Sequence, residues 1–287
     1  MQPLAERAQI LVEALPYLRQ YAGATIVIKY GGSAMTEAAL KASVLRDVVL
    51  LRYVGMQPIV VHGGGPEITE TMARVGLEPK FVSGLRVTDE AAMEIVEMVL
   101  AGKTNSDVVA TINRQGGRAV GLSGKDADLL RASKRTEAGL DLGLVGEVER
   151  VNTEIIHTLI KAGFLPVIAP IGFGDDGKTY NLNADHVAGA VAAALDADKL
   201  IMLTDVKGVL ENKDDPDSLI SELRASRARA LIESGRIQAG MVPKVEACLR
   251  AVEGGTVRAH IIDGSLPHAL IMEIFTDRGI GTMVTRE

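Results

Sequence analysis

Short, branched, apolar runs alternate along this chain with stretches of helical periodicity, and no other feature limits its fold as strongly. The apolar runs are Thr25–Tyr30, Pro58–His62, Arg118–Leu122, Pro166–Ala169, Leu200–Thr204 and Arg258–Asp263. Helical spacing appears at Glu37–Tyr53, Pro66–Val75, Asp89–Ala101, Ser106–Arg114, Thr153–Ala162, Ala184–Leu195, Ala228–Ser234, Val245–Val252 and Pro267–Ile274. Strands joined through helices pair in parallel and are covered on both faces. Burial on both faces removes the polar alternation of a half-exposed strand. The pattern predicts an α/β fold, a three-layer αβα sandwich around a mostly parallel central sheet.

The core of such a sheet must be aliphatic here. Apolar residues make up 47% of the 287, yet aromatics are 3% and Trp is absent. The net charge of −6 argues against the basic footprint of a nucleic-acid binder. Cys248 is the only cysteine, so neither an intrachain disulfide nor a thiolate zinc cluster can form, which fits a reducing compartment. No stretch approaches the roughly 20 apolar residues of a membrane span, and residues 1–7 carry no apolar signal core. The expectation is a soluble, cytoplasmic protein.

Three segments break the rhythm. Phe81–Thr88 and Leu129–Val151 are short, charged and punctuated by glycine, and read as hairpins beside a substrate. Residues 1–22 place Leu4, Ala8, Leu11, Val12, Leu15 and Leu18 at helical spacing, with Pro16 positioned to kink or interrupt the helix. Such a helix packs either on its own domain or on a neighbouring subunit. The chain divides into an extension over 1–22, a first lobe over 23–175 and a second over 176–287, with no Pro/Ser-rich linker between the lobes.

The chemistry gathers where strands end in glycine. Lys29 closes an apolar strand and is followed by Gly31 and Gly32, small residues that let backbone N–H groups wrap an anion. His62-Gly63-Gly64-Gly65-Pro66 repeats the strand–glycine–helix arrangement. His62 reads as a structural hydrogen-bonder rather than a base. A hydrolase oxyanion loop is the rival, but the nearest nucleophile-elbow string, Gly121-Leu122-Ser123-Gly124-Lys125, lacks its final glycine.

Asn181, Asn183 and Asp185 precede an Ala-rich helix; capping explains one of these three polar residues, not all. Lys244 follows Pro243 in a first helical turn, where a cation is disfavoured unless an anion binds. Thr204 to Leu210 follows a strand and is either a nucleotide cradle or a surface turn. Arg86 precedes a helix start and is suited to a carboxylate or to a structural ion pair.

Gly172–Thr179 satisfies both the P-loop and the dinucleotide glycine patterns. Asp175 and Asp176 would put two negative charges where phosphates sit, and no helix follows at once. This string reads as an exposed turn between strands.

Taken in order, IKYGG, VVHGGG, GLRVT, LNAD, LTDVKGVL and AGMVPKVEACLRA resemble the amino-acid kinase family. GLRVT favours its N-acetylglutamate branch. The resemblance covers about residues 23–287. It implies transfer of the ATP γ-phosphoryl group, with Mg²⁺, to the γ-carboxylate of N-acetyl-L-glutamate. It implies Lys29 and Lys244 as transition-state cations organised by Asp185. Gly64, Gly65, Arg86 and Asn181 would contact acetylglutamate in the first, dimerising lobe. Gly31 and Gly32 would offer N–H groups to phosphate. Asp205, Val206, Lys207, Gly208, Val209 and Leu210 would belong to the ATP site of the second lobe.

The extension resembles that of arginine-inhibited members, in which swapped N-terminal helices join dimers into a hexamer. Tyr17, Glu273 and Gly279 match the arginine effector site. Related enzymes in photosynthetic organisms bind a PII signalling protein, but no residue string here carries that partner over. Two other readings compete: a non-catalytic nucleotide or arginine sensor on the same fold, and a dinucleotide module built on Gly172–Gly177. A pure binder has no need of Lys29, Lys244 and Asp185 together.

Overall fold

Along the central strand, Ile26 and Ile28 point into one apolar layer while Val27 points into another, and all three are fully buried. Burying each side chain contributes about 1.5–3 kcal/mol. The same alternation runs through Ile59/Val60/Val61 and Leu200/Ile201/Met202, so the sheet is covered on both faces.

The chain is described from a computed structural model, over residues 2–82, 84–136, 140–212, 214–215, 217–237 and 240–287. Its strands are β1 (Thr25–Tyr30), β2 (Gln57–His62), β3 (Lys80–Val82), β4 (Leu85–Val87), β5 (Ala119–Ser123), β6 (Leu130–Lys134), β7 (Val145–Val151), β8 (Leu165–Ala169), β9 (Ile171–Phe173), β10 (Thr179–Leu182), β11 (Lys199–Thr204), β12 (Glu222–Arg224), β13 (Arg258–Asp263) and β14 (Thr282–Thr285). The helices are α1 (Gln2–Glu13), α2 (Leu15–Gln20), α3 (Ser33–Thr36), α4 (Ala38–Tyr53), α5 (Gly65–Arg74), α6 (Glu90–Glu97), α7 (Asn105–Arg114), α8 (Glu154–Lys161), α9 (Ala184–Ala194), α10 (Ala225–Glu233), α11 (Val242–Glu253) and α12 (Ala269–Ile274). A π-helical stretch, Met98–Thr104, joins α6 to α7.

Eight strands form one sheet in the order β12-β14-β13-β11-β1-β2-β8-β5. The neighbours from β13 to β5 all pair in parallel; β14 runs antiparallel to β13. Helices α8, α9, α10 and α11 pack on one face, and α4, α7 and α12 on the other. A second, four-stranded barrel, β10-β7-β6-β9, stands beside the sheet, and β3–β4 form a separate hairpin. Among the described residues no helix is long and apolar enough to cross a membrane.

Several local expectations change. The edge strand β12 and its neighbour β14 have too few apolar residues to be read from sequence; Glu222-Leu223-Arg224 offers one. The helix expected over Asp89–Ala101 instead turns π-helical at Met98 and runs on into α7. The helix expected over residues 1–22 breaks at Ala14, and Pro16 falls in the first turn of α2, where its missing N–H costs nothing. Residues 137–139 of the expected Leu129–Val151 hairpin, Ser83 of the Phe81–Thr88 hairpin, and Ala239 lie outside the described residues.

Candidate active site

β1 lies between β2 and β11, with crossovers leaving to either side. Ligands of open α/β sheets bind beyond the carboxyl ends of strands at such a switch point. Here those ends supply Lys29 from β1, the Gly63–Gly65 loop after β2, and Asp205 to Leu210 after β11.

Lys29 alternates with Ile28 and so points to the face covered by α9 and α11. Those helices bring Asp185 and Lys244. Lys29 Nζ is 3.0 Å from Asp185 Oδ1, and Lys244 Nζ donates to Asp185 Oδ2 at 3.0 Å. The Asp185 side chain is 7% exposed and that of Lys29 is 11% exposed. Burial by itself would push the Asp185 carboxyl up, but the two ammonium groups outweigh it and hold the pKa down at about 2. Asp185 is thus an ionised anchor with an ammonium on each oxygen.

Close helix packing makes this possible. A Cβ on Gly189, in α9, would lie 2.5 Å from the Ala247 carbonyl oxygen of α11. Sequence reasoning passed over Gly189, although a lone glycine in an Ala-rich helix is a packing signal. Asn183 caps α9, its side-chain oxygen accepting from the N–H groups of Asp185 and His186 at 2.8 and 3.2 Å. The cap sets the start of the helix and hence the direction of Asp185.

The glycine pair after Lys29 has two separate tasks. A side chain on Gly31 would occupy the space of the Lys29 ammonium, and Gly32, at φ +68°, lies against the Asp205 carboxylate. Neither position tolerates a Cβ without displacing a charged group.

Gly63, Gly64, Gly65, Arg86, Asn181 and Asn183 line a cavity of about 220 Å³. Arg86, 8% exposed, donates to the Gly65 carbonyl at 3.1 Å and to Thr69 Oγ1 at 2.8 Å, and stacks over Phe81. It therefore ties the β3–β4 hairpin to α5 at the cavity wall. Asn181 Nδ2 donates to Thr88 Oγ1 at 3.1 Å. Leu100, from the π-helical stretch, closes the wall and was not foreseen.

A second cavity, about 210 Å³, is lined by Val206, Gly208, Val209 and Leu210 together with Ile237 and Met241. Asp205 and Lys207 do not line it; Asp205 packs at Gly32 instead. Tyr17, Glu273 and Gly279 fall elsewhere, in a cavity of about 390 Å³ shared with Lys199, Arg258 and His260. There His260 Nδ1 lies 2.6 Å from Glu273 Oε1, and Tyr17 Oη donates to Asp277 at 2.5 Å.

The P-loop-like string is a β9–β10 turn. Gly174 N–H donates to the Lys178 carbonyl at 2.9 Å, and Asp176 accepts from Tyr180 Oη at 2.7 Å. The side chains hold the turn itself and face no helix start.

Residues 24–263 match the model of the amino acid kinase family. Acetylglutamate kinase from Caldanaerobacter subterraneus subsp. tengcongensis is 59% identical over 98% of this chain and 94% of its own length. Among solved structures, N-acetylglutamate synthase from Neisseria gonorrhoeae, complexed with coenzyme A and N-acetyl-glutamate, superposes with a TM-score of 0.86 at 28% identity over 98% of this chain. The same synthase with coenzyme A and L-arginine gives 0.82 at 27% identity over 98% of this chain. The chain spans 63% and 65% of those two synthase chains. With its fold, its two lysines on one carboxylate and this identity over nearly its full length, the chain belongs to the amino-acid kinase family, in the acetylglutamate kinase branch.

Proposed function

We propose that this chain transfers the γ-phosphoryl group of Mg²⁺–ATP to the γ-carboxylate of N-acetyl-L-glutamate, giving N-acetylglutamyl 5-phosphate and ADP for arginine biosynthesis in the cytoplasm. One observation carries the reading: two ammonium groups are held on one buried carboxylate where two cavities approach. Ala184, next to Asp185, lines the first cavity; Met241, one helical turn before Lys244, lines the second.

The nucleophile needs no base. A glutamate γ-carboxylate, with a reference pKa of about 4.3, is ionised at neutral pH. The obstacle is repulsion between two anions as charge spreads over the phosphoryl oxygens. Lys29 and Lys244 cancel that charge in a nearly water-free site, where fixed charges act strongly. Asp185 keeps them apart and aimed. Gly31, Gly32, Gly64 and Gly65 add N–H groups, and Arg86 and Asn181 receive the polar groups of acetylglutamate. ATP seats its base among Val206, Gly208, Val209 and Leu210, with Asp205 and Lys207 at the edge of that site. Mg²⁺ arrives on the phosphates, in keeping with its preference for phosphate oxygen and retained water. The β3–β4 hairpin shields the acyl phosphate from water.

The 23–175 lobe then carries the acetylglutamate and the 176–287 lobe carries ATP. Regulation follows from the remaining features. Ile10, Leu11, Val12 and Leu15 are 51–73% exposed on the single chain, an apolar stripe suited to a neighbouring subunit in a hexamer built from dimers. Arginine occupies the cavity of Tyr17, Glu273 and Gly279, next to that stripe, and inhibits. The test is Mg²⁺–ATP turnover with N-acetylglutamate beside glutamate, the acyl phosphate trapped as hydroxamate, with and without arginine. Hydroxamate from acetylglutamate alone, suppressed by arginine, supports the whole reading. Turnover insensitive to arginine removes the regulatory part; no hydroxamate removes the substrate.

A further inference from the structure

His62 ends β2 with no exposed surface, and Asn105 opens α7 at 5% exposure. The His62 ring has a polar partner on each nitrogen. Nδ1 lies 2.7 Å from the Gly63 carbonyl oxygen, which can only accept, so Nδ1 carries the proton. In the neutral ring Nε2 then accepts, and Asn105 Nδ2 donates to it at 3.1 Å while donating also to the Val167 carbonyl at 3.0 Å. Both amide hydrogens and both ring nitrogens are thereby used. The room for Asn105 comes from Gly121, where any Cβ would collide with the Asn105 side-chain oxygen. Burial pushes the His62 pKa down to about 4, so the ring stays neutral at working pH.

We propose that His62 and Asn105 are positioning residues that lock the Gly63 carbonyl and so aim the Gly64 N–H for acetylglutamate. A trans peptide is planar, so fixing the Gly63 carbonyl fixes the Gly64 N–H on its opposite side. Gly63, Gly64 and Gly65 have no side chains to hold this peptide, and glycine backbones rotate freely. The loop lines the first cavity, and N–H groups at a helix start have no internal acceptor. The π-helical stretch serves the same end. In an α-helix, residues five apart stand about 140° apart around the axis. The i→i+5 repeat instead places them on one side, so Leu100 packs at Gly64 while Asn105 holds His62.

The proposal rests on the acetylglutamate reading, and its test separates the two. Two-bond ¹H–¹⁵N spectra of the full wild-type chain, with His62 assigned by its loss in His62→Gln, report the ring's tautomer. The expected result is the neutral Nδ1–H form, unchanged over roughly pH 6–9. An Nε2–H ring or an imidazolium in the wild-type chain overturns the proposal. The kinetic arm compares two substitutions of similar packing cost. In His62→Asn the amide nitrogen replaces Nδ1 and keeps the Gly63 bond. In His62→Gln the amide oxygen replaces Nε2 and loses that bond. His62→Gln is expected to raise the KM for acetylglutamate about tenfold, the factor for about 1.4 kcal/mol, with the KM for ATP within about twofold. His62→Asn should remain within about threefold of wild type on both. Equal effects from the two, or a parallel rise in the ATP KM, assign the pair to general stability and reject the role. A wild-type chain with the Nδ1–H ring but no acetylglutamate turnover overturns the substrate reading, and the role given to Gly64 falls with it.

Discussion

Lys29 Nζ, near the end of β1, lies 3.0 Å from Asp185 Oδ1, in the first turn of α9. The other oxygen of the same carboxylate takes Lys244 at 3.0 Å, from the first turn of α11. A cation in a helix's first turn opposes the dipole, and here a buried carboxylate offsets that penalty. Two cations 3.0 Å from one anion are a spacing device: the shared carboxylate holds both ammonium groups side by side without their repelling one another apart.

Lys244→Ala is expected to lower kcat by about 10²–10³-fold, the scale of losing one transition-state stabiliser. The KM for acetylglutamate should change little, because the contact strengthens only as charge moves. Steady-state hydroxamate kinetics separate the two constants. A change confined to KM rejects the role.

Asp185→Asn keeps the shape and removes the charge. It leaves the buried Lys29 ammonium without its counterion, a loss of about 3–5 kcal/mol in stability for a pair broken from one side. Urea denaturation at neutral pH measures it. A midpoint indistinguishable from wild type would mean that the two lysines are not held by this carboxylate.

The same carboxylate gives a pH test with a defined sign. Its folded pKa, about 2, lies below the roughly 3.9 of an unfolded aspartate. Its stabilisation is therefore complete above about pH 5 and is lost progressively as pH falls through about 3.9 toward 2. Between about pH 5 and pH 3 the wild-type urea midpoint should fall more steeply than that of Asp185→Asn. Parallel curves would contradict the pairing.

Lys178→Ala should leave ATP kinetics unchanged within about twofold, since a solvated turn residue contributes within ±0.5 kcal/mol. Loss of ATP binding would revive the P-loop reading of Gly172–Thr179.

Glu273→Gln preserves the volume of a side chain that accepts from Ile280 N–H at 2.7 Å but removes its charge. If arginine binds there, its half-inhibitory concentration should rise about tenfold or more, the loss of one charge-assisted hydrogen bond. Turnover without arginine should be unchanged. Inhibition curves on the two proteins decide it.

Much of the architecture was legible because local signals were strong. β1 and β13 coincide with the apolar runs Thr25–Tyr30 and Arg258–Asp263, since uninterrupted branched residues have one economical use in a two-sided sheet. Lys29, Gly31, Gly32, Asp185 and Lys244 stood out because a charge or a glycine pair sits where periodicity calls for something else. Asn105, Leu100 and Gly189 did not. Each is an ordinary residue for its helix, and its importance lies in what another element brings to it.

By itself, then, the sequence determined the central strands and most of the helices, the glycine turns and the family, all readable within windows of a few residues or from ordered motifs. The tertiary structure alone decided that β1 lies between β2 and β11, that α9 and α11 approach through Gly189 to share one carboxylate between two lysines, and that the π-helical stretch turns Asn105 onto His62. The physical reason is that strand order and helix contact are set by burial summed over the whole sheet, a quantity no local window contains.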